Sequence, residues 1–317
     1  MGRLPRPILP LLALLMLAAC GGGSGSNSNS GSGSTSSPAT AVAAPDPGAP
    51  QATGNTAADG FNWFNFRRQQ LGVPALTRNS KIDAAAQGHS DYQQLNDTIT
   101  HEQTLGRNGF TGKTTGERLL AGGYTLPPGG YAYGEVISAT SNHSGFNAAE
   151  DLIAAIYHRF VIFEPIFREG GSGAATVSGG LTYFTTDFAA IGLKPAQQNS
   201  GTFFTYPFAG QQRVPIRFFS DNEVPDPVPN RNEVGYPVSV HANLGSILDA
   251  LSFTVQARGD TPLQVRVLTH ATDAQTPASA VAIIPLTVLK PATTYDVRFS
   301  GTIDGAGISR SWSFTTQ

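Results

Sequence analysis

Residues 64–93 read FNFRRQQLGVPALTRNSKIDAAAQGHSDYQ, and the spacing of their apolar side chains decides the fold of the first half of the chain. Ile82, Ala85, Ala86, His89 and Tyr92 recur at helical spacing, which predicts one buried face of an amphipathic helix. Asn79 or Ser80 is placed to cap it. Upstream, FNWFNFRRQQLG (61–72) is apolar-rich and then polar, and Gly72 reads as a helix stop. Downstream, NAAEDLIAAIYHRFVIF (147–163) repeats the helical pattern, with Leu152, Ile153, Ile156 and Tyr157 as its stripe. TYFTTDFAAIGL (182–193) alternates aromatic and small polar residues, as a half-buried strand does. Helices closed by a strand predict an α+β unit over residues 59–195.

From residue 196 to 317 the helical pattern vanishes. Eight short β-branched or aromatic runs, from FFTYPF to SWSFTTQ, are punctuated by Pro, Gly, Asp and Asn. They predict an all-β sandwich. The closing LKPATTYDVRFSGTIDGAGISRSWSFTT (289–316) resembles the last strands of bacterial immunoglobulin-like domains, which implies an Ig-like sandwich and no particular chemistry.

The N-terminus carries a different message. Residues 1–20, MGRLPRPILPLLALLMLAAC, join two arginines to an apolar run about half the length of a membrane span. LAAC resembles the lipobox of bacterial lipoproteins. That resemblance implies cleavage before Cys20, lipidation of Cys20 and a membrane partner reached through the lipid. Cys20 is the only cysteine in the 317-residue chain, so no disulfide staples the fold. Residues 21–58 are rich in Gly, Ser, Asn, Pro and Ala, bury too little to offset ordering entropy, and predict a disordered tether. With Gly21 and Gly22, and no acidic residue, directly after Cys20, the same resemblance implies the outer membrane of a Gram-negative bacterium. A net charge of −2 and the absence of any basic run argue against a nucleic-acid partner.

The stretch from Phe61 to Gly192 resembles the CAP (SCP, pathogenesis-related 1) family. The pieces that carry this are RRQQLGVPALTRNSKIDAAAQGHS, a lone His101, Arg118 before AGGY, YGEVIS where the family has GENI, YHR where it has S-P-x-H-R, and the aromatic strand. The resemblance implies an α-β-α sandwich with a cleft of two histidines and two acids. It carries His101 over as the first histidine, Glu135 as its carboxylate partner and His158 as the second histidine. His89, on the apolar helical face, reads as a packing residue. Two imidazoles and a carboxylate in one cleft would hold a divalent cation such as zinc; without metal, a histidine beside a glutamate is a general base or a hydrogen-bonded cleft floor. Val136 replaces the family's asparagine, YFTTDF stands where GHFTQ would, and Glu117, Glu150 and Glu164 lie near without matching the second acid.

No nucleophile elbow, P-loop, HExxH or dinucleotide fingerprint occurs. Two functions are therefore expected. One is a surface-anchored binding module for a small lipophilic or cell-wall-derived ligand, with or without a cation. The alternative is a metal- or His/Glu-dependent hydrolase acting on peptide or cell-wall material.

Overall fold

A computed structural model describes residues 46–128, 130–193 and 201–317. The signal segment, Cys20 and most of the expected tether lie outside the described residues. Its last part does not behave as tether. Asp46 forms ion pairs with Arg67 and Arg213, and Thr53 donates to Asp59 through both its N–H and its hydroxyl. Asn55 then caps α1 (Thr56–Gln70) by accepting the N–H of Ala58. Specific charge pairs and a cap hold a segment whose composition alone predicts disorder.

The first half is a three-layer unit. Its sheet has the order β1-β3-β4-β2, from β1 (Thr77–Arg78), β2 (Tyr131–Thr140), β3 (Glu169–Thr176) and β4 (Thr182–Ile191). β1 runs parallel to β3; the other pairs are antiparallel. On one face lies α2 (Ser80–Asn96), capped by Asn79 as expected, with α3 (Thr115–Ala121) beside it. Ser90 and Gln93 of α2 donate to Thr185 of β4. On the other face, Phe64 of α1 packs against Phe184 and Phe188. Alternation along β4 thus sends Thr185 and Asp187 to the α2 side and the phenylalanines to the α1 side.

The single helix expected over 147–163 is two: α4 (Gly145–Ala154) and α5 (Ile156–Ile162). Ala155 between them has an extended ψ of 114°. The cause lies far along the chain. Glu223 accepts the N–H groups of Ile156, Tyr157 and His158 with its side chain, taking donors that a continuous helix would satisfy itself.

The second half holds a four-stranded sheet of order β10-β11-β8-β5, a three-stranded sheet β13-β12-β9 and a β6-β7 pair, all antiparallel. The strands are β5 (Phe203–Tyr206), β6 (Arg217–Phe219), β7 (Glu233–Gly235), β8 (Val238–Ala242), β9 (Leu248–Ala257), β10 (Val265–Thr269), β11 (Ala280–Pro285), β12 (Thr294–Ile303) and β13 (Ala306–Thr315). All eight expected runs supply strands; the three-residue β7 is additional. The expected boundary at 195/196 falls in a segment outside the described residues, but the core does not stop there. One apolar cluster runs from Phe61 through Phe163, Tyr206 and Tyr236 to Phe314.

Candidate functional site

β2 carries Glu135 at its centre, and the β2–β4 register sets Asp187 directly opposite. Both side chains therefore point to the α2–α3 face. Above them the loop between α2 and α3 brings down His101, whose Nδ1 lies 2.7 Å from Glu135 Oε1. Arg118, from α3, pairs with Oε2 of Glu135 and also donates to the carbonyl of His101 and to Thr115 Oγ1. The loop is pinned by Gln103, whose Oε1 accepts the N–H groups of Thr111 and Gly112.

His89 closes the back of this cluster. Its Nε2 is 2.7 Å from the carbonyl of Thr100, and its Nδ1 is 3.0 Å from the amide nitrogen of Gln103. A carbonyl needs a donor and an amide NH2 supplies one, so the neutral ring carries its hydrogen on Nε2. Burial lowers its pKa to about 4 despite the nearby charge of Glu135, which keeps it neutral. The packing role expected for His89 agrees with this placement.

Charge is tightly allotted. Burial alone would raise the pKa of Glu135, but the charge of Arg118 and the hydrogen bond with His101 hold it well below the carboxylate range, so it is ionised. Asp187 goes the other way. It is fully buried, neither oxygen receives a donor, and burial followed by the charge of Glu135 raises it well above its ordinary value. Two adjoining buried carboxyls cannot both ionise, so Asp187 keeps its proton and can donate it to Glu135. Asp187 is the second acid that no sequence match supplied. Glu117 instead completes the α3 capping box, Glu150 binds Trp63 and Arg67, and Glu164 reaches Leu244.

His158 does not join the cluster. It is buried at the start of α5, with Nδ1 3.0 Å from Glu223, a residue of the second half. The expected trio of His101, Glu135 and His158 is thus not assembled. Among the described residues no group of three or more His, Cys, Asp or Glu side chains is arranged to hold a metal. The donors do not fit a divalent cation, since Glu135 is paired to Arg118 and to His101 Nδ1, and Asp187 keeps its proton.

The arrangement is a closed, buried polar network. His101 is 7% exposed, Glu135 2%, and His89, Arg118 and Asp187 are fully buried. Since Nδ1 of His101 faces the ionised Glu135, its other nitrogen, Nε2, is left buried and without a partner among the described residues. Two clefts of ≈ 500 and ≈ 440 Å³ lie along the seam between the halves, and neither is lined by His101 or Glu135.

Residues 61–188 match the cysteine-rich secretory protein family, CAP. Among curated proteins none matches the chain. One similar solved structure is an extracellular protein containing an SCP domain from Bacillus anthracis str. Ames, at 22% identity and a TM-score of 0.36, covering 42% of this chain and 39% of that one. Another is an outer surface protein from Borrelia burgdorferi, at 14% identity and a TM-score of 0.34, covering 41% of this chain and 89% of that one. Residues 61–188 of this chain are a CAP domain, followed by a β-rich region of several antiparallel sheets.

Proposed function

We propose that the chain is an extracytoplasmic binding module, anchored to the outer membrane through a lipid on Cys20, whose CAP domain takes a cell-wall-derived ligand at His101. The C-terminal region, with sheets of four and three antiparallel strands, serves as an Ig-like sandwich. The carrying observation is that His101 is the most exposed group of the network while its Nε2 lacks a partner. Glu135 holds the ring at Nδ1 and Arg118 holds the backbone carbonyl of His101, so Nε2, itself buried, is the ring nitrogen left for a polar ligand group. The charged floor favours a polar wall fragment over a lipophilic molecule. Binding needs no metal in this arrangement.

The hydrolytic alternative rests on one feature, the 2.7 Å His101–Glu135 contact, which is the geometry of a histidine held by an acid for general-base work. Among the described residues no Ser, Cys or Thr nucleophile is hydrogen-bonded to His101 Nε2. Co-sedimentation with purified peptidoglycan sacculi tests the binding reading. The Cys20→Ser chain is expected in the soluble fraction and to co-sediment with sacculi, and adding His101→Ala is expected to weaken that association about tenfold or more. Equal co-sedimentation of the His101→Ala variant overturns the site, and a Cys20→Ser chain that stays in membranes overturns the anchor.

A further inference from the structure

We propose that the buried core between the two halves binds one small monovalent anion, chloride, through the guanidinium of Arg159 and the hydroxyl of Tyr236. This site is separate from His101 and does not depend on the function proposed above.

Buried arginines elsewhere in the CAP domain have their charge or their hydrogens answered. Arg67 pairs with Asp46 and Glu150, and Arg118 pairs with Glu135. Arg68 has no ion pair, but its Nε, Nη1 and Nη2 all donate to backbone carbonyls. Arg159, on α5, has neither arrangement. It is fully buried and forms no ion pair among the described residues. Its Nε donates to the carbonyl of Ile153 at 2.6 Å and its Nη1 to that of Pro237 at 2.7 Å, while Nη2 has no hydrogen-bond partner there. A guanidinium stays protonated in a protein, so a whole positive charge is buried at this point.

The groups around Arg159 cannot cancel that charge. Its Cζ lies 4.9 Å from the ring centroid of Tyr206 and 5.0 Å from that of Tyr236, and the ring faces offset only part of it. Burial raises both tyrosines above the ordinary phenol value, so neither becomes a phenolate. Glu150, whose charge reaches both rings, is held by Trp63 and Arg67. The hydroxyl of Tyr236 is itself buried without a partner among the described residues. Two adjoining side chains, one of them charged, thus keep donors unanswered in a core, where such groups are rare. A water molecule would take the hydrogens and leave the charge; an anion answers both. One guanidinium balances a single negative charge, which favours chloride over sulfate or phosphate. Walls without exposed surface favour a monatomic ion over an organic acid.

The test is urea unfolding of the full chain in sodium chloride and in sodium gluconate at equal ionic strength, each over a range of concentrations. Chloride is expected to raise the midpoint saturably, and gluconate, too large to enter, to give no saturable rise. Tyr236→Phe keeps the ring beside Arg159 and removes one donor, so it is expected to weaken the apparent chloride affinity about tenfold. Arg159→Met is expected to abolish the chloride response; should that variant fail to fold, Tyr236→Phe alone decides. Comparing parent with variant in the same salts cancels general salt effects. His101→Ala is expected to leave the response unchanged. A parent with no saturable chloride response beyond that in gluconate overturns the site. A response that Tyr236→Phe does not alter puts the ion elsewhere and overturns the assignment.

Discussion

Glu135 and Asp187 are cross-strand neighbours in opposite states of ionisation, and this difference sets what each can tolerate. Replacing Asp187 by asparagine keeps a neutral donor beside Glu135, so Asp187→Asn is expected to alter stability by under about 1 kcal/mol. Glu135→Gln strands the buried guanidinium of Arg118 and is expected to cost about 3–5 kcal/mol, read from urea midpoints at constant slope. His89 adds a pH signature. The unfolded chain takes up this proton near pH 6.5, whereas the folded ring refuses it until about 4. Stability from His89 is therefore present above the upper value and lost as pH falls through that window, by up to about 3 kcal/mol. His89→Gln is expected to flatten that part of the acid limb in denaturation curves taken at a series of pH values. The separate placements of His89 on the buried helical face and His101 in the following loop were legible, because helical spacing distinguishes an apolar-face residue from a loop residue. Asp187 was not, because its role follows from strand register, and the sequence of β4 alone says nothing of what stands opposite. His158 was misplaced for a similar reason: its partner, Glu223, lies 65 residues away in a different region.

Among the elements, the approach of α2 to β3 is set by backbone rather than side chains. A methyl group at Gly173 would lie 2.2 Å from Gln87 Cα, and one at Gly171 would lie 2.2 Å from the Asp83 nitrogen. The run EGGSGAAT reads poorly as a strand by propensity, and its glycines make sense only once a helix lies across it. Gly173→Ala is expected to destabilise by about 2 kcal/mol or more, since backbone atoms cannot move aside as a side chain would. The helix over 80–96 was legible from periodicity and cap. The break at Ala155 was not, because nothing local forbids a continuous helix there and the competing acceptor is Glu223. Glu223→Ala, which leaves three buried N–H groups and His158 without their acceptor, is expected to cost about 3–5 kcal/mol by denaturant unfolding.

At the scale of the whole molecule, the two halves meet through buried groups of the kind found inside a single core. Arg159 donates to the Pro237 carbonyl and Ser239, Phe163 packs on Tyr206 and His241, and Glu164 accepts the N–H of Leu244. Composition and periodicity placed a change of architecture near residue 195, and they carried no information on how closely the two parts would pack. Burial pushes Glu164 up to about 7, so the folded chain keeps this proton while the unfolded chain releases it near 4.5. Its contribution therefore falls as pH rises through that window, and Glu164→Gln is expected to gain up to about 3 kcal/mol on the parent between those values, measured as the difference in unfolding free energy. The proposed binding of a polar ligand rests on the charged, closed network around His101. The most direct measurement is mass analysis of soluble peptidoglycan fragments incubated with the Cys20→Ser chain, with and without His101→Ala. Saturable retention of fragments at unchanged mass, lost in the His101→Ala variant, is the expected result; cleaved fragments released by the parent and not by the variant would contradict a binding role.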